Sequence, residues 1–113
     1  MNVAIPVVNG LLCQHFGHCE LFAIAEVDEA TRTITKTIYH VPPAHEPGVL
    51  PKWLHEEMAA DVIIAGGMGM RARQLFEQNG IQVIVGASGG APDDLVMQYL
   101  NGTLEVGANI CDH

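Results

Sequence analysis

Apolar positions in this chain come as short runs and spaced stripes, and their periods predict most of its elements. Asn2–Val8 (NVAIPVV) is an almost unbroken β-branched run, as in a strand covered on both faces. Pro6 lacks a donor, so it marks a bulge or the point where pairing stops on one side. Leu21–Asp28 is the second strand. Arg32–Val41 follows a polar turn and alternates Ile34, Lys36, Ile38 and His40 against Thr33, Thr35, Thr37 and Tyr39. That period of two suits a half-exposed antiparallel edge strand, with Thr and Lys blunting its outer side. Pro51 fits the first turn of a helix to about Ala60, with Trp53, Leu54, Glu57 and Met58 along one face. A short buried strand, Asp61–Ala65, ends at Gly66-Gly67. A second helix runs from Gly69 to Asn79 with Ala72, Leu75 and Phe76 inward, and Gly80 as its left-handed stop. Ile81–Val85 is the last strand. Pro92 opens a third helix, with Asp93 and Asp94 at the end its dipole favours, closing near Asn101-Gly102.

The order β-β-β-α-β-α-β-α predicts an α/β fold: a five-stranded mixed sheet with helices on both faces. Strands joined through helices run parallel by right-handed crossovers, and the short turn makes the second strand antiparallel. The loops Asn9–Glu20, Pro42–Leu50, Gly66–Gly69 and Gly86–Ala91 then all emerge at the carboxyl edge of the parallel strands, where open α/β sheets place their ligands. No internal repeat is present. Residues 1–102 form one α/β domain, and Thr103–His113, without periodicity, forms a C-terminal tail.

Composition narrows the function. Against 13 Asp and Glu stand only five Lys and Arg, a formal charge of −8, which disfavours a surface that neutralises phosphates in bulk, so no nucleic-acid partner is expected. No apolar run approaches membrane length and no leader pattern follows Met1, so the expectation is a cytoplasmic protein that binds no membrane. Three cysteines fit no disulfide framework.

The chemistry concentrates in Cys13-Gln14-His15-Phe16-Gly17-His18-Cys19. Four thiol or imidazole ligands lie within seven residues, a set suited to zinc, copper or iron–sulfur centres. Cys13, His15, His18 and Cys19 are therefore the candidate metal ligands. His45, in the Pro-rich loop after the third strand, is a candidate from a second loop. Cys111 and His113 join them if the tail folds back. His40 lies near the same edge, whereas His55 belongs to the surface of the first helix. Gly66, Gly67 and Gly69, and Ser88 and Gly89, precede helices, where backbone amides cradle an anion or glycines merely permit tight turns. Arg71 could assist at such a site. Neither glycine run is a dinucleotide fingerprint or a P-loop. Met68 and Met70 read as packing residues. The competing readings of the cysteines are inert thiols, or a local Cys13–Cys19 disulfide acting as a redox switch.

Val3–Val8 (VAIPVV), His15–Cys19 (HFGHC), Val27-Asp28, His45–Leu54 (HEPGVLPKWL), Asp61–Ala72 (DVIIAGGMGMRA) and Gly80–Val83 (GIQV) together resemble the dinitrogenase iron–molybdenum cofactor-binding family, the NifX/NafY and NifB C-terminal type domains. The resemblance spans nearly the whole chain. It implies a ribonuclease H-like fold and a non-catalytic role in binding or carrying an iron–sulfur or molybdenum-containing cluster, with cluster donor or acceptor proteins as partners. Some small members resemble carriers of molybdenum–copper–sulfide species. Two other functions stand beside this one: a thiol-based redox or regulatory module, and a metal-dependent hydrolase. The hydrolase is disfavoured, because VAIPVV carries no acid and Asp61 lies at the wrong end of its strand for a nuclease-like metal pair.

Overall fold

A computed structural model describes residues 1–14, 19–43 and 48–107. Its elements are β1 (Asn2–Val8), β2 (Leu11–Leu12), β3 (Leu21–Asp28), β4 (Thr33–His40), α1 (Val49–Glu56), β5 (Val62–Ile64), α2 (Met70–Gln78), β6 (Gln82–Ile84) and α3 (Pro92–Leu100). The long strands run β4-β3-β1-β5-β6. β3 is antiparallel to β1 and β4, while β5 and β6 run parallel to β1.

The sheet has six strands, not five. β2 is the addition, and it arises from a two-residue turn. Asn9 and Gly10 both take positive φ (54° and 78°), folding Leu11 and Leu12 back onto Val8 and Val7. Asn-Gly is the dipeptide that a primed hairpin turn selects, because both central residues must be left-handed. β1 pairs with β5 only as far as Ala4, after which β2 takes over and the Pro6 carbonyl accepts the Cys13 amide (2.9 Å). Pro6 thus stands where parallel pairing has ended.

Alternation along the strands splits the core in two. Ala4, Phe22, Ile24, Ile63 and Val83 face α1 and α2, through Leu50, Leu54 and Phe76. Val3, Ile5, Val7, Ala23, Ala25, Val62 and Ile64 face α3, through Leu95 and Val96. β4 departs from the simple alternation. The register slips between Glu26 and Val27, leaving Thr35 as an extra residue, so Ile34 joins the α3 face while Lys36, Ile38 and His40 keep the other.

Helix ends follow local chemistry. Gly80 (φ 77°) closes α2: its amide donates to Glu77, and that of Ile81 to the Phe76 carbonyl (3.1 Å). Ile81 packs in the same core as Phe76, completing a Schellman motif. α1 stops at Glu56, short of the expected Ala60, because Ala59 turns left-handed (φ 50°) and the Ala60 amide returns to the Leu54 carbonyl.

Residues 103–107, beyond α3, do not trail away. Val106 bridges Ala87, the Gly107 amide donates to the Gly86 carbonyl (2.7 Å), and Leu104 packs against the α3-side core. Residues 103–107 form a strap ending at the carboxyl edge of the sheet.

Candidate functional site

Strand polarity sends the chain segments after β1, β4, β5 and β6 out at one edge. The opposite edge is tied by contacts between distant segments, with Asp61 accepting from the Asn2 amide (2.9 Å) and the Asn2 side chain donating to the Met58 carbonyl. Asp61 therefore belongs to the far side of the sheet.

Cys13 and Cys19 are both present and buried at the carboxyl edge. They sit in one cluster with Ala65 and Met68, which follow β5. Met68 is fully buried in that cluster, whereas Met70 at the start of α2 is half exposed. Burial pushes the Cys19 thiol up from 9.0 to about 11. The neighbouring Cys13 adds to the rise, and a backbone hydrogen bond opposes it. The two sulfurs are thus electrostatic neighbours, but the chain brings them in from opposite sides of β1. The Cys13 amide donates to Pro6, and the Glu20 amide to the next carbonyl, Val7 (2.9 Å each). Successive strand carbonyls point opposite ways, so those backbones lie about two strand spacings, ~10 Å, apart. A disulfide wants Cα atoms within about 7 Å. Cys13 and Cys19 form no disulfide with each other.

Gln14, between these cysteines in sequence, ties the edge together, and the residue pattern carried no signal for it. Its side-chain amide donates to the Ser88 carbonyl (3.3 Å), while the Leu12 amide donates to Gly90 (2.9 Å). The Gly66 carbonyl accepts from Gly86, and that of Ala65 from Ala87. The turn after β2 is therefore lodged between the loops after β5 and β6. Gly66 and Gly67 are buried, Gly69 and Arg71 are exposed at the start of α2, Ser88 is exposed and Gly89 is partly covered. Among the described residues no three His, Cys, Asp or Glu side chains gather in a metal-holding arrangement. His15, His18, His45, Cys111 and His113 lie outside the described residues. His40 stands half-buried near the same edge with its ring edge-on to Trp53 (6.4 Å), and Trp53 in turn meets Phe22 (5.8 Å). His55 is exposed on α1.

No helix among the described residues is long and apolar enough to cross a membrane. The chain is similar to protein MJ0580 of Methanocaldococcus jannaschii, with 31% identity over 93% of this chain and 90% of that one. In structure it is similar to PH0822 (TM-score 0.83, 26% identity, 95% and 96% of the two chains covered). It also shares the fold of the apo form of the orange protein of Desulfovibrio gigas (TM-score 0.71, 24% identity, 96% and 93% covered). The family model described as dinitrogenase iron-molybdenum cofactor matches residues 1–102, and the chain belongs to that family.

Proposed function

We propose that the chain is a non-catalytic binding and carrier protein for an iron–sulfur or molybdenum-containing cluster, taken from one protein and passed to another. The observation that carries this reading is the buried Cys13–Cys19 pair at the edge where both glycine loops converge. Membership of an iron-molybdenum cofactor family supports it.

On this reading Cys13 and Cys19 supply thiolates, the donor class that soft metals and sulfide clusters prefer. Amides around Gly66, Gly67, Gly69, Ser88 and Gly89, together with Arg71, face the anionic surface of the cargo. His15, His18 and His45 complete the donor set on sequence grounds. The strap supports adding Cys111 and His113. Gly107 is anchored at this edge, and four extended residues beyond it span roughly 14 Å. Two thiolates supplemented by a few further donors from other segments would leave a cluster transferable. The strand order, with an antiparallel second long strand, supports the ribonuclease H-like designation. A reducing cytoplasm suits the thiols.

Anaerobic isolation with elemental analysis and visible absorption tests the reading. Bound metal and sulfur-to-metal charge transfer are expected in the wild type, with most of both lost in Cys13→Ser and Cys19→Ser and part in His15→Ala and His18→Ala. Unchanged metal content in all four variants would remove the site.

A further inference from the structure

We infer that Gln14 is a positioning residue: its carboxamide is a crossbar that holds the cysteine-bearing turn between the loops after β5 and β6, and so fixes where the Cys13 thiolate meets its cargo. The cargo part rests on the cluster reading above, but the crossbar stands on contacts alone. At Gly66 the three nearest heavy atoms a Cβ would meet all belong to Gln14: Oε1 at 2.9 Å, Cα at 3.2 Å and Cδ at 3.3 Å. Gly66 is not among the glycines with positive φ, so the turn itself does not demand glycine there. A side chain at this position would instead be crowded by Gln14, most closely by its carboxamide oxygen. On the other side the same carboxamide donates to the Ser88 carbonyl (3.3 Å), and a Cβ at Gly89 would come within 3.3 Å of Nε2. The amide plane is therefore gripped from both loops. One residue earlier, the Cys13 amide is fixed on Pro6, and before that the Leu12 amide on Gly90 (2.9 Å each). Three consecutive residues are thus anchored, two by backbone and one by its side chain, and the middle one carries the thiol. A side chain that fixes a ligand without touching the metal tunes affinity as the outer partners of metal ligands do.

Two measurements on the full chain decide it. The first is a thermal cycle of wild type, Gly66→Ala, Gln14→Ala and the double variant. Gly66→Ala should lower Tm by about 5 °C. Gln14→Ala should lower it little, and the double variant should recover at least half of the loss. The remainder belongs to the main chain at Gln14, which truncation leaves in place. Strictly additive losses would overturn the crossbar. The second is anaerobic titration with Co(II), read by its thiolate charge-transfer band. Gln14→Glu keeps the side chain's shape but cannot donate to Ser88. It and Gln14→Ala should weaken binding about 10-fold and move the band, with stoichiometry unchanged. An unmoved band and unchanged affinity in both would overturn the positioning role. If the wild type takes up no Co(II), the positioning role toward the Cys13 thiolate is overturned, while the cluster reading is judged by the metal content after anaerobic isolation and the crossbar by the thermal cycle.

Discussion

The glycines after β5 and after β6 do different work, although both runs precede helices. Gly66 has an ordinary backbone and yields its side-chain space to Gln14. Gly86 has φ 91°, and a Cβ there would also collide with the Gly107 carbonyl. Gly80, at the end of α2, has φ 77° with nothing within 4 Å of a Cβ. Contact alone, contact with conformation, and conformation alone are thus separated in one small sheet. Glycine runs near a ligand edge are easily read as anion cradles. Here the Gly86 amide is already bonded to the Gly66 carbonyl, so much of the second run holds the edge together.

Substitutions should rank accordingly. Gly86→Ala combines left-handed strain with a backbone collision that must eject the strap. It should cost more than about 3 kcal/mol in urea unfolding. Deleting residues 103–113 in that background should restore only the collision part. Gly86→Ala tolerated within about 1 kcal/mol would mean that the strap is not seated as described.

The thiol floor beneath both loops reports next, through pH. Folding raises the Cys19 pKa from 9.0 to about 11, so the folded state favours the neutral thiol. Its contribution is complete below pH 9 and is lost as pH climbs through 11. Two pKa units correspond to at most about 3 kcal/mol. Unfolding free energy of the unloaded protein should fall over that window, and Cys19→Ala should flatten the slope. A wild-type profile with the same slope as Cys19→Ala would place the thiol in water.

Gly66→Ala should cost about 1–2 kcal/mol, the range of modest overpacking, and be eased by Gln14→Ala. Gly80→Ala should cost about 1 kcal/mol from backbone conformation alone, with no second-site relief from any side-chain truncation. Relief of both by the same truncation would erase the distinction between the loops.

Much of the scaffold was legible because buried strands and helix stripes impose fixed periods. The run Val3–Val8, the stop at Gly80 and Pro92 opening α3 all stand where the pattern put them. β2 was signalled by Asn9-Gly10, but two residues of strand make too short a run for a period to register. The bulge at Thr35 left no mark either, because Thr and Ile suit both faces of an edge strand. Around the site, the convergence of the described loops followed from strand direction alone. Gln14 could not be read in advance. Its role comes from Gly66 and Ser88, some 50 and 74 positions away, and a carboxamide has no periodic signature.

The central claim is that the buried thiol pair holds an inorganic cargo. Its most direct test is the metal-to-protein ratio of the Cys13→Ser/Cys19→Ser double variant beside wild type, after identical anaerobic isolation. A ratio below about a tenth of wild type, with the variant still folded, is expected from the loss of both thiolates. Equal ratios would contradict the claim, and would move any metal to donors other than these two cysteines.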